Sequence, residues 1–269
     1  MKIFQTLLIS SLLLLVVSCG SERKKYLKSP LDEIITTYID TQNYSVILTD
    51  MDYKEDSDAY FHKYKIILEK NNKTTKPTED DFDIKRTDWK KVSAITFEEH
   101  QKDLGMTVLS KKNGVLDKKS TPAGYNNYVG NQKYGSWERQ SNGSSFWAFY
   151  GQYHFMSSLL GGSSRRYGRS DYDYYRTNNQ GRGSYYGRNN TYGTSSTGNT
   201  SSTWNSKPQS FKDKVRTNVK RSATSLRSKG YSSSKSYSNS SKNSSRTTRN
   251  SNRYRSSSSS RSRSGGYGK

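Results

Sequence analysis

Residues 44–69 read YSVILTDMDYKEDSDAYFHKYKIILE, and this stretch decides the fold class. Its first ten residues are dominated by Val46, Ile47 and Leu48, apolar types that suit a pleated, half-buried strand. Residues 54–58 form an acidic turn. Over residues 60–69 the chain alternates, with Tyr60, His62, Tyr64, Ile66 and Leu68 on one side and Phe61, Lys63, Lys65, Ile67 and Glu69 on the other. Two strands about a short polar turn predict an antiparallel hairpin.

Upstream, Ser29-Pro30-Leu31-Asp32-Glu33-Ile34-Ile35 carries the signals of a helix start. Ser29 caps, Pro30 suits the first helical position, and Asp32 and Glu33 face the positive end of the helix dipole. Leu31, Ile34, Ile35 and Tyr38 then share one helical face. Downstream, residues 71–83 hold charge and Pro77 but little to bury, and read as a loop. Trp89, Val92 and Ile95 suggest a short strand. Thr96-Phe97-Glu98-Glu99 has capping-box spacing, opening a helix that Gly105 would end. Residues 106–109 and 115–116 flank Asn113-Gly114, a pair that favours a tight hairpin turn. The expectation is an α+β fold over residues 28–120, a small antiparallel sheet with two or three helices, followed by a long disordered C-terminal tail.

Charge divides the chain. The net +22 is concentrated in residues 140–269, where 23 Lys/Arg face only Asp171, Asp173 and Asp213; residues 1–139 hold 22 basic and 20 acidic residues. Such asymmetry predicts a basic tail on a nearly neutral domain. The acidic groups Asp50, Asp52, Glu55, Asp56, Asp58 and Glu79, Asp80, Asp81, Asp83 do not follow a calcium-loop pattern and read as solvated turn charges. His62, His100 and His154 lack the spacing of a helical zinc pair, and His62 reads as a packing or surface residue. No nucleophile elbow, phosphate-cradling loop or catalytic cysteine motif is present, so no enzyme, metal or cofactor is expected.

The chain opens Met1-Lys2 and is mostly apolar over residues 3–17, a secretory signal pattern too short to span a bilayer as a helix. Val16-Val17-Ser18-Cys19-Gly20 resembles the lipobox of bacterial lipoproteins. The resemblance implies a signal peptide over 1–18, lipid on Cys19, a tether over 19–27, and residence in the cell envelope. Gly20, where inner-membrane lipoproteins often carry Asp, favours an outer membrane if the host has one. Because Cys19 is the only cysteine, no intrachain disulfide is possible. Two or three acyl chains make such an anchor durable.

Residues 121–144 read as a linker. The segment over 145–162, SFWAFYGQYHFMSSLLGG, places Phe146, Trp147, Phe149, Tyr150 and Phe155 close together. It reads either as a helix completing the core or as a membrane or partner contact. The order of lipobox, small module, Ser-Phe-Trp segment and Gly/Ser/Tyr/Arg tail also resembles uncharacterised envelope lipoproteins, which adds location and no catalytic residues.

Residues 163–269 are poor in aliphatic side chains: over 161–269 there are 30 serines and 11 tyrosines but only Val215, Val219 and Leu226. A chain with so little to bury is expected to be disordered. One island, residues 210–229, repeats Phe211, Val215, Val219 and Ala223 every four residues behind a capping-box Ser210, predicting a basic amphipathic helix. The expected polyanion contacts are Arg165, Arg166 and Arg169, then Lys212, Lys214, Arg216, Lys220, Arg221 and Arg227, then Arg253, Arg255, Arg261 and Arg263. Exported, such a tail would meet anionic lipid, lipopolysaccharide or teichoic acid, or extracellular DNA; nucleic acid inside the cell is the target only if the chain is not exported. Self-association through the tail tyrosines, or capture of an envelope protein by residues 146–160, are the other expected roles.

Overall fold

A computed structural model describes residues 25–70, 79–161, 167–196 and 202–233. In chain order its elements begin with β1 (Lys25–Tyr26), α1 (Pro30–Thr37), β2 (Asn43–Lys54), β3 (Ala59–Glu69), β4 (Phe82–Arg86) and β5 (Lys90–Val92). Next come α2 (Ala94–His100), β6 (Met106–Lys112), β7 (Val115–Asp117), β8 (Thr121–Pro122), β9 (Gly135–Arg139), β10 (Ser145–Phe149) and α3 (Phe155–Leu159). The last are α4 (Arg169–Asn178), α5 (Thr203–Ser206), α6 (Gln209–Ser228) and β11 (Tyr231–Ser232). The fold is α+β, as expected. No helix among the described residues is long and apolar enough to cross a membrane.

The expected hairpin is the centre of the sheet. Strands β2 and β3 pair antiparallel, and the seven-stranded sheet runs β4-β3-β2-β6-β7, with β5 also on β3 and β8 on β6. The register slips between Leu48 and Asp50, a bulge at Thr49 whose hydroxyl donates to Lys63 O at 3.1 Å. An extra residue reverses the phase of a strand. Met51 and Tyr53 therefore bury on the same side as Val46 and Leu48. The Asn113-Gly114 turn is as expected: both residues have positive φ, 50° and 79°, which a type I′ turn requires.

Both faces of this sheet are covered. On one, Val46, Leu48, Tyr64 and Ile66 pack with Ile34 and Ile35 of α1, Ile95 and Phe97 of α2, Trp204 of α5, and Val215, Val219 and Ala223 of α6. On the other, Ile47, Ile67 and Phe82 meet a core in which Tyr125, Tyr128, Tyr134, Tyr153, Tyr167, Tyr172, Tyr175 and Tyr185 are all buried.

This second core corrects several expectations. Residues 121–144 are no linker: Tyr125, Tyr128, Val129 and Tyr134 are buried, and Asn127 Nδ2 donates to Tyr44 O (3.0 Å) and Lys111 O (3.2 Å) on the sheet. Residues 167–196, expected to be disordered, belong to the fold because tyrosine rings supply the burial that aliphatic side chains do not, while the helix expected over 210–229 is present and packs Val215, Val219 and Ala223 on the first core. Of the expected segment over 145–162, the described residues 145–161 form strand β10 and the short α3 instead of one helix; Trp147 is 4% exposed, pairs across from Trp137, and lies on the core side of that alternative. Phe146, Phe149 and Phe155 are half-buried, and only Tyr150 is exposed.

Smaller differences concern helix starts. Ser93, not Thr96, caps α2, accepting from Thr96 N at 3.1 Å, which absorbs Ile95 into the helix. Helix α6 begins at Gln209, after Pro208, so Ser210 lies inside it and caps nothing. Of the expected tether, Lys25–Tyr26 is a strand and Leu27 packs on the first core. Helix α1 carries the capping box between Ser29 and Asp32, and Asp32 also accepts from Tyr26 Oη and from Lys118 Nζ at 3.1 Å.

Candidate functional site

The basic C-terminal segment is seated on the module by the module's own acids. Asp50 caps α5, its carboxylate accepting from Thr203 N (2.9 Å) and Trp204 N (3.2 Å). Asp52 pairs with Lys207 at 3.4 Å, and Glu55 with Lys214 at 2.7 Å. Arg227 bonds to Glu98 and lies 4.0 Å from Glu99. Asp50 and Asp52 of β2 thus hold residues 203–207 and Glu55 reaches α6, while Glu55, Asp56 and Asp58 of the turn are exposed, as expected. Among the described residues no cluster of three or more His, Cys, Asp or Glu is placed to hold a metal ion.

Where α6 passes α2, a cleft of about 480 Å³ opens. Glu98, Gln101 and Lys102 form one wall, Arg216 and Lys220 another, and a loop carrying Tyr186, Asn190, Tyr192 and Thr194 the third. Sequence reasoning reaches Arg216 and Lys220 but not Lys102 and the loop, because nothing local in residues 186–195 announces a fold. The loop is stapled down by Thr194, whose N donates to Lys102 O (3.0 Å) and whose hydroxyl donates to Gln101 O (2.7 Å). Gly193, at φ +92°, sits so close that a Cβ there would fall 2.3 Å from Lys102 O. That position admits glycine alone.

The cleft is cationic. Lys102, Arg216 and Lys220 face it against the single carboxylate of Glu98. Glu98 is already bonded to Arg227, and Arg216 reaches Asp213 at 3.0 Å. Lys220 and Arg221 have no ion-pair partner among the described residues, and both are exposed. With Tyr186 and Tyr192 on its walls, the cleft offers two rings beside two or three ammonium and guanidinium groups.

Tyr186 also forms the boundary with a second cleft of about 310 Å³, lined by His100, Asp103, Lys118, Lys119 and Ser184 among others. At its floor Asp103, 1% exposed, accepts from Ser120 Oγ (2.6 Å) and Tyr186 Oη (2.6 Å) and pairs with His100 Nδ1 at 2.7 Å. Burial and then the Asp103 charge push the Tyr186 phenol up, keeping it protonated as a donor. Ser120 bonds the carboxylate, whereas in a nucleophile–base–carboxylate relay the serine faces the imidazole. The cluster ties residues 120 and 186 to the end of α2. Behind it His62, fully buried, meets Tyr64 Oη at 2.9 Å through Nδ1 and stacks on Phe97 at 5.3 Å. Burial, and then the charge of His100, hold its imidazole well below the ordinary histidine value.

The other expected contacts are dispersed. Arg169 opens α4 and pairs with Asp173 at 3.6 Å, and Lys212 donates to Asn205 O at 2.9 Å. Cys19, Arg165, Arg166, Arg253, Arg255, Arg261 and Arg263 lie outside the described residues, as does most of the basic tail beyond residue 233. Among the described residues the fold is thus an antiparallel sheet closed on both faces, with a basic helix laid over one of them. No protein-family model, no curated protein and no solved structure matches the chain.

Proposed function

We propose that the protein is a lipid-anchored, non-enzymatic component of the cell envelope that grips anionic envelope polymers with its basic C-terminal region. The observation that carries this reading is the cleft between α2 and α6, where Lys102, Arg216 and Lys220 outnumber Glu98 and two tyrosine rings flank them. A cleft with low-dielectric walls and charges of one sign concentrates counter-ions and their polymers. The lipobox resemblance at Cys19 supports a location among envelope polyanions, which are anionic lipid, lipopolysaccharide or teichoic acid, and extracellular DNA. Self-association through tail tyrosines is the weaker reading, since Tyr167, Tyr172, Tyr175 and Tyr185 are committed to the second core. Partner capture by residues 146–160 is likewise weakened by the burial of Trp147.

The test uses residues 20–269, without the apolar segment and Cys19, and polyphosphate as an anionic polymer without a membrane. Binding should weaken steeply as salt rises, because each neutralised phosphate releases a condensed counter-ion. A basic residue beside an anionic surface contributes about 1 kcal/mol, so reversing Lys102 and Lys220 to Glu should lower the affinity by roughly tenfold or more. Salt-independent binding, or a double variant that binds like wild type, overturns the reading.

A further inference from the structure

The first and last elements of the described fold are joined. Strand β1 pairs in parallel with β11, Lys25 opposite Tyr231 and Tyr26 opposite Ser232. Lys25 N donates to Gly230 O at 2.8 Å and Leu27 N to Ser232 O at 2.9 Å, while Lys25 Nζ sits 5.5 Å from the Tyr231 ring centroid. Tyr26 Oη adds its bond to Asp32 in the α1 capping box. The point where the chain enters the fold is therefore one strand away from the C-terminal end of α6 and from the point where residues 234–269 begin. Strand neighbours lie about 5 Å apart, so the two points share one edge of the molecule.

That edge is basic. Lys25 and Lys229 are exposed there. Glu98 and Glu99, which lie beside it, are taken up by Arg227 and by the Ser233 hydroxyl at 2.6 Å. The 36 residues that follow Ser233 in sequence carry nine Lys/Arg and no acidic residue. Cys19 lies six residues before Lys25, a reach of about 20 Å at full extension. Attraction between exposed charges fades beyond about 8 Å at physiological salt. A tether of that length lets these cations close to within that range of the bilayer that holds it, whereas a more distant polymer would have to come to them.

We propose that the β1–β11 pair seats the folded unit edge-on to its own membrane, with Lys25 and Lys229 set against the anionic lipid headgroups of that leaflet. This rests on the anchored reading above and narrows its polyanion to lipid.

The acylated full-length chain, whose Cys19 is occupied by lipid, accepts a single fluorescent label at Ser228→Cys or at Ser141→Cys, both exposed positions. Each is reconstituted into phosphatidylglycerol/phosphatidylcholine vesicles containing a headgroup nitroxide. The expected result is strong quenching at 228 and little at 141, with the difference reduced by Lys25→Glu/Lys229→Glu or by vesicles of phosphatidylcholine alone. Equal quenching at the two positions in a chain that carries acyl mass and floats with the vesicles overturns the orientation and leaves the anchor standing. A chain without acyl mass that stays in solution overturns both.

Discussion

The two faces of the central sheet are closed by different chemistry. One core is largely aliphatic, built by Val46, Leu48, Ile66, Ile34, Ile35 and Val108 around a few rings; in the other, eight of sixteen buried members are tyrosines. An aliphatic side chain asks only for contact, whereas a buried tyrosine must also satisfy its hydroxyl. The second core accordingly holds a polar network: Tyr125 Oη donates to Asp171 at 2.8 Å, Tyr185 Oη to the same carboxylate at 2.6 Å, and Tyr175 Oη to Asn126. Its rings meet mostly tilted or edge-on, as Tyr125 and Tyr172 do at 84° and 5.2 Å. Aromatic pairs in such arrangements gain about 0.5–1.5 kcal/mol beyond their burial. The comparison teaches that a Ser/Tyr/Arg-rich segment without aliphatic residues can still close a core, with Tyr125, Tyr175 and Tyr185 finding acceptors and the Tyr128 and Tyr153 hydroxyls buried without one among the described residues.

The largest effect that would break this comparison lies in the aliphatic core. Trp204, 1% exposed and edge-on to Phe97 at 5.6 Å, ties α5 and α6 to the sheet. Trp204→Ala should cost about 3–5 kcal/mol in urea unfolding. A loss near zero would mean that the C-terminal segment is not part of this core. In the tyrosine core, Tyr125→Phe keeps the ring and removes one donor to Asp171, so about 1–3 kcal/mol is expected. A neutral result would show that the rings alone close that face.

The smallest effect separates the cores by pH. The folded-state pKa of His62 lies below its unfolded value of 6.5, so as pH falls the unfolded chain takes up that proton first. Its stabilising contribution is present above pH ~6.5 and declines progressively as pH falls below that value. His62→Phe should flatten that part of the profile of melting temperature against pH, and an unchanged slope would assign the titration to another group.

The difference between the cores also explains what can be read from sequence. The hairpin of β2 and β3, the Ser29 cap, the Asn113-Gly114 turn and the four-residue repeat of α6 are local signals, and each is where expected. The bulge at Thr49 is not legible, since a single inserted residue leaves composition unchanged. The tyrosine core escapes a reading that judges disorder from aliphatic content; the pair Tyr172/Tyr175, three residues apart and so on one face of α4, is the available signal. Of the cleft, the α6 cations are legible from periodicity. Lys102 and the loop over 186–195 are not, because their neighbourhood is created by Thr194 and Gly193 through contacts some 90 residues away in sequence.

The parallel pairing of Lys25–Tyr26 with Tyr231–Ser232 also has a consequence in time. The strand that leaves the ribosome first is the last to find its neighbour, because some two hundred residues must be made before that neighbour exists. Trp204, Val215 and Val219, which complete the aliphatic core, arrive almost as late. Contacts of such separation slow folding. The β1–β11 pair and the α6 side of the aliphatic core can therefore close only after nearly the whole chain has been made, whereas the β2–β3 hairpin needs only neighbouring residues.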